Sequence, residues 1–222
     1  MTDAARPTLF VSFTAQLRID LEAGRFQPGE RLGENSLADQ YAVSRPTVRA
    51  TLQELARLGL VTRSSGRGAT VTAIDLDEVK MLLTLRSQLE PMLVRRFTEL
   101  STNAQMEAFA DAVGAFEHTI VHADNLAATR RHLDDFYRVL HEGAGSWALA
   151  SAVEVQHAML AMYRSRDLAP GFQAERYRVA AQTHRLIMPI MRQRDGRAAH
   201  IVCARHMHED ASAVLRELLA QE

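Results

Sequence analysis

Arg45, Arg49, Gln53 and Arg57 recur every four residues. On a helix that spacing lines three planar guanidiniums and an amide along one side, while Val48, Leu52, Leu55 and Leu58 cluster roughly opposite. A guanidinium fork matches O6 and N7 of guanine in a way no lysine reproduces, and it also pairs with phosphate oxygens. Between Ser44 and Arg67 stand five arginines against the single acid Glu54, a net charge of +4. Cations at that density on one face release counterions from nucleic acid. A merely solvated charged face gives the same count, so the elements that carry these residues must decide.

A second concentration of chemistry lies further along. All nine histidines fall between His118 and His208. His118 and His122 share a helix face, yet no His-Glu-x-x-His or Cys-His framework accompanies them. No Ser-His-Asp order, paired general acid and base, or phosphate loop can be assembled either, so no catalytic residue is assigned. A metal-dependent enzyme in this half therefore lacks a complete ligand set. Arg86 has two readings: it meets an effector carboxylate through paired hydrogen bonds, or it salt-bridges Glu90 one turn on.

The chain that must position these groups has 222 residues, 24% charged and 47% hydrophobic, which suits one large or two modest globular domains. Its net charge of -1 hides an asymmetry: residues 1–74 carry +2 and residues 75–222 carry -3. One cysteine, Cys203, excludes an intrachain disulfide framework and fits a reducing compartment. No apolar run of membrane-spanning length occurs, and Met1 to Pro7 lacks the segments of a secretory signal, so a cytoplasmic protein is expected.

Residues 1–74 read as three helices and a hairpin. Phe10, Phe13, Leu17 and Leu21 lay an apolar stripe on a first helix that stops at Gly24. Pro28 and Gly29 force a turn, and Glu34 to Tyr41 form a short second helix. Ser44 is a good N-cap for a third helix, which tolerates Pro46 in its first turn and ends at Gly59. Leu60 to Arg63 and Ala69 to Thr72 flank a polar turn and form a two-stranded wing. Two helices joined by a tight turn make a helix-turn-helix whose second helix can enter a major groove. From Asp75 onward no alternating strand pattern appears, and helices are expected at about 76–99, 103–122, 125–142, 146–164, 171–194 and 196–220, with Pro189 kinking the fifth. The expected fold is mostly α: a winged helix-turn-helix over 1–74 and an all-α antiparallel helical bundle over 75–222.

The first part resembles the winged helix-turn-helix of the GntR family of bacterial transcription regulators. The resemblance is carried by Pro28-Gly29-Glu30-Arg31-Leu32, Leu37-Ala38, Val43-Ser44-Arg45-Pro46-Thr47-Val48-Arg49-Ala50, Gly59-Leu60-Val61 and Gly66-Arg67-Gly68. It implies that Arg45 and Arg49 reach bases or phosphates and that Ser44 and Thr47 hold the DNA backbone. It further implies that the wing tip, Ser65, Gly66, Arg67 and Gly68, approaches the minor groove. The second part is similar to the FCD effector-binding domain of the FadR-type branch, through Arg86, Leu89 and Glu90, through Phe136 and Leu140, and through His184 and His206. Metal-containing members of that branch have an Asp and a His where this chain has Leu133 and Tyr137. A divalent metal held by His184 and His206 alone would thus need Tyr137 or the effector to complete its shell. The resemblance implies an effector site of Arg86, Tyr137, His184 and His206. It implies a homodimeric regulator that binds a palindromic double-stranded operator and responds to a small molecule, a carboxylate among the candidates. The alternative is a constitutive DNA-binding regulator with a degenerate pocket.

Overall fold

The computed structural model describes residues 9–63, 68–122 and 126–220. The first elements are α1 (Leu9–Glu22), β1 (Arg31–Gly33), α2 (Glu34–Tyr41), α3 (Arg45–Arg57), β2 (Val61–Arg63) and β3 (Gly68–Val71). After them come α4 (Leu76–Leu100), α5 (Asn103–His122), α6 (Leu126–Ala144), α7 (Trp147–Asp167), α8 (Pro170–Arg192) and α9 (Gly196–Leu219). The chain divides into two compact units, residues 1–79 with 155–166, and residues 80–154 with 167–222.

In the first unit the apolar stripes do what their spacing demands. Phe13, Leu17 and Leu21 of α1, Leu37 of α2 and Val48, Leu52 and Leu55 of α3 are all buried, which removes their surface from water at roughly 25 cal/mol per Å². Phe10 departs from the expected stripe: near the start of α1 it is 38% exposed. Polar anchors join the helices: Thr14 and Thr51 share a hydroxyl hydrogen bond of 2.8 Å between α1 and α3, and Tyr41 donates to the buried Asp20 at 2.5 Å. Gly59 ends the third helix with a left-handed backbone at φ +73. It lies against Met159 of the same unit, since a Cβ there would stand 3.0 Å from the thioether sulfur.

The hairpin expected from the sequence is present as β2 and β3, and β1 adds a third strand that the sequence did not suggest. The wing is a three-stranded antiparallel sheet in the order β1-β3-β2, with Leu32 paired to Ala69 and Thr62 to Thr70. β1 has only three residues, too few for an alternating pattern, and it exists because β3 offers it a second edge.

The second unit is helical throughout its described residues. α5 packs against α6 and α8, and α8 against α9. Its core contains Leu93, Phe97, Phe109, Phe136, Ile187, Met191 and Cys203. Phe97, Phe109 and Phe136 form a run of tilted ring pairs, each with centroids 4.9 Å apart. Gly143 lets this run sit against α6, because a Cβ there would stand 2.4 Å from the Phe97 ring. Gly143→Ala is therefore expected to cost about 1–3 kcal/mol through overpacking, read as a lowered midpoint in urea denaturation; an unshifted midpoint would show that the ring moves freely.

Candidate DNA interface and effector site

The N-terminus of α3 is built as its sequence demands. Ser44 is extended at φ -72 and ψ 150, and its Oγ accepts a hydrogen bond from the Thr47 amide at 3.3 Å. The two hydroxyls lie 2.8 Å apart, so Ser44 and Thr47 cap the helix together and satisfy a donor that would otherwise be orphaned. Arg45, Arg49, Gln53 and Arg57 are all exposed. Arg57 pairs with Glu54 at 2.8 Å.

Arg49 has a partner that the sequence did not suggest. Its Nε donates to Glu34 Oε1 at 3.3 Å and its Nη2 to Oε2 at 2.9 Å. The Arg49 side chain is 57% exposed, that of Glu34 only 2%. The hydrogen bond from Arg49, followed by the charges of Arg49, Arg63 and Arg45, holds the Glu34 carboxyl below its ordinary range against the opposing effect of burial. Arg63 of β2 donates from Nη1 to the Arg49 carbonyl oxygen at 3.2 Å, with its Nη2 4.0 Å from Glu34 Oε1. Fifteen residues separate Glu34 from Arg49, a distance at which no helical periodicity can signal contact.

Gly68 occupies a position only glycine tolerates: φ is +138, and a Cβ would lie 2.2 Å from the Leu32 carbonyl oxygen. Its place in the sheet, opposite Gly33, accounts for the residue without any ligand. Ser65, Gly66 and Arg67 lie outside the described residues.

In the helical unit, four elements converge on one polar cluster. Arg86 of α4 donates from Nε to Glu90 one turn on, at 2.6 Å, and from Nη1 to Asp210 of α9 at 2.5 Å. Arg176 of α8 grips the same Asp210 with two bonds of 2.6 and 2.7 Å. Tyr137 of α6 donates to Glu90 at 3.4 Å. The salt-bridge reading of Arg86 thus holds, and it extends to a second acid 124 residues away. Arg176 and Asp210 were missed; the one hint was that Asp210 falls one turn after His206, on the face of α9 that also buries Cys203. Among the described residues the cluster sets two guanidiniums against two carboxylates.

The imidazoles border it. His184 stacks on Phe136 with centroids 4.9 Å apart and planes 28° from parallel, and His206 is buried. Burial, and then the neighbouring His206, lower the His184 pKa to about 4. Burial followed by the Arg86 charge lowers that of His206. His141, set one turn after Tyr137, is also lowered, chiefly by burial. His184 Nδ1 is buried with no hydrogen-bond partner among the described residues.

This donor set does not fit a divalent metal. Position 133 offers leucine, and Tyr137 is held firmly as the neutral phenol by burial and by Glu90. Among the described residues no three His, Cys, Asp or Glu side chains are placed to hold an ion, and two imidazoles fall short of the three or four ligands zinc requires.

The depressed imidazoles have a consequence for stability. An unfolded histidine protonates near pH 6.5, whereas folded His184 stays neutral down to about 4, so between those values the unfolded chain binds more protons. Stability is then expected to fall as pH is lowered from 7 to 4, with His206 and His141 acting in the same direction. His184→Phe, which keeps a ring on Phe136, should reduce the pH slope of the denaturation free energy by roughly one proton. Identical slopes for the two proteins would clear His184 of the effect.

Comparison with known proteins agrees with this division of labour. Residues 12–71 match the family described as bacterial regulatory proteins, gntR family, and residues 81–209 match the FCD domain. The HTH-type transcriptional regulator YdhC of Bacillus subtilis is 22% identical over 206 residues, covering 92% of this chain and 91% of the relative. The HTH-type transcriptional repressor NanR of Citrobacter rodentium is 29% identical over 225 residues, covering 92% and 84%. Among solved structures, E. coli McbR/YncC shares the fold with a TM-score of 0.72 at 17% identity, covering 97% of this chain and 99% of that one. Among the described residues no helix is long and apolar enough to cross a membrane. The chain belongs to the GntR family of bacterial transcription regulators, with a helix-turn-helix DNA-binding domain followed by an FCD effector-binding domain.

Proposed function

We propose that the protein is a homodimeric, cytoplasmic, effector-controlled regulator, with residues 1–74 binding one half of a palindromic operator and residues 75–222 sensing a small molecule. The observation that carries the DNA reading is the exposed face of α3: Arg45, Arg49 and Gln53 project from a helix whose other face is locked in the core and whose start is capped by Ser44 and Thr47. In a major groove, Arg45 and Arg49 reach base edges or phosphates, Ser44 and Thr47 lie against the backbone, and the wing tip from Ser65 to Gly68 approaches the minor groove. Pairing of two chains is supported by Met81, Leu85 and Met92, exposed apolar residues that share one face of α4. A relative named as a repressor, NanR, favours repression as the output.

A duplex selected from a randomised library should be bound by two chains, and Arg49→Ala should weaken that binding by about 1–3 kcal/mol, the range for losing a base-contacting arginine. Titration by fluorescence anisotropy reads both, and unchanged affinity would remove Arg49 from the interface.

The effector reading rests on Arg86, Tyr137, His184 and His206, with Arg176 added. Asp210 already takes two arginines as a bound carboxylate would, and His184 presents an unsatisfied buried nitrogen. A small carboxylate that exchanges with Asp210 suits both features. Within a panel of such acids, at least one is expected to raise the thermal midpoint saturably, and Arg86→Met should abolish the shift. A panel that leaves the midpoint unmoved would favour a constitutive regulator instead.

A further inference from the structure

A guanidinium has two edges with paired N–H donors, the side edge of Nε and one Nη, and the end edge of the two Nη groups. On an exposed helix face a free arginine samples many rotamers and spreads those donors over phosphates and bases alike. Arg49 does not have that freedom. Its side edge is taken by both oxygens of Glu34, at 3.3 and 2.9 Å, and Glu34 is itself buried at the start of α2. Arg63 closes on the same point from β2, through the Arg49 carbonyl oxygen. What remains directed away from Glu34 is the end edge, whose two donors match the O6 and N7 acceptors of one guanine. The carboxylate also cancels one positive charge, which weakens the attraction to phosphate that carries no sequence information.

We propose that Glu34 is a specificity-determining positioning residue: its buried carboxylate holds Arg49 so that the Nη1–Nη2 edge is presented to a guanine, making Arg49 a base reader and not a phosphate clamp. This role rests on Arg49 acting in operator recognition as proposed above.

The test uses the full chain, the variants Glu34→Gln, Glu34→Asp and Arg49→Ala, and three DNA probes. These are the duplex selected by the wild type, the same duplex with single guanines replaced by 7-deazaguanine, which lacks the N7 acceptor, and a scrambled duplex. For the wild type, one guanine per half-site should show a penalty of about tenfold on deaza substitution. In both Glu34 variants that penalty should vanish and affinity for the selected duplex should fall by about tenfold. Affinity for the scrambled duplex should be retained or increased, with a salt dependence steeper by about one counterion for Glu34→Gln alone. Glu34→Asp keeps the negative charge but is one methylene short of the paired contact, so it carries the test if Glu34→Gln fails to fold. An equal loss on every duplex, as a purely structural role would give, overturns the proposal. So does a deaza penalty that Arg49→Ala removes and both Glu34 variants keep. If Arg49→Ala removes no guanine's penalty, the assignment of Arg49 to readout fails, and the role of Glu34 falls with it.

Discussion

A carboxylate shut away from water must be paired, and that constraint organises both units of the chain. Glu34 in the head, and Glu90 and Asp210 in the helical unit, are all buried, and each is held by arginine. Taking such charges out of water costs several kcal/mol per ion, which attraction to the partner returns only when the geometry is good. Net stability is therefore not what these pairs contribute most. Removing one partner leaves an uncompensated buried charge, at about 3–5 kcal/mol where both partners are buried, as for Arg86 with Glu90 and Asp210, so the elements bearing such partners cannot separate cheaply. In the helical unit this ties α4 and α8 to α9; in the head the Glu34 pairs link the start of α2 to α3 and β2.

The same pairing shapes what the proposed effector must do. A ligand moves a conformational equilibrium only by its difference in affinity between two states. With Arg86 and Arg176 already satisfied by Asp210, an incoming carboxylate gains little by joining the cluster and much by replacing a member of it. Replacement frees the acid on α9, which must then find water or another partner. The neighbouring imidazoles would add to the selectivity of such a site. His184 and His206 are kept neutral by burial, so they offer hydrogen bonds without drawing in a second anion.

The parts of this architecture legible in the sequence are those written in local spacing. The buried stripe of α3, the Ser44 cap, the stop at Gly59 and the ends of α5 all follow from periodicity and turn chemistry. Arg86 and Glu90, at i and i+4, were readable for the same reason. Contacts across the chain were not. Nothing near Arg49 announces Glu34, and nothing near Arg86 announces Asp210 or Arg176, because each partner sits on another element. β1 escaped notice because three residues carry no alternation. Spacing alone puts Phe10 in the stripe, although burial of a residue near the start of a helix depends on what packs over it.

The unanticipated strand and the unanticipated carboxylate are one feature. β1 ends at Gly33, and α2 begins at Glu34 with no intervening residue. The pairing of Leu32 with Ala69 and Gly33 with Gly68 therefore fixes where the Glu34 backbone stands. Gly68 makes that register possible, since a side chain there would collide with the Leu32 carbonyl. Arg63, on the other side of β3, is set by the same sheet through the pairing with Ala69. Both groups that hold Arg49, the Glu34 carboxylate and the Arg63 guanidinium, are thus delivered by the wing sheet and not by the helix they act on. A one-residue slip of β3 would reverse every side chain along it and with it the seating of the arginine at the exposed face of α3. The short sheet accordingly serves α3 as a scaffold, since its three-residue edge strand sets the backbone position of the carboxylate that holds Arg49.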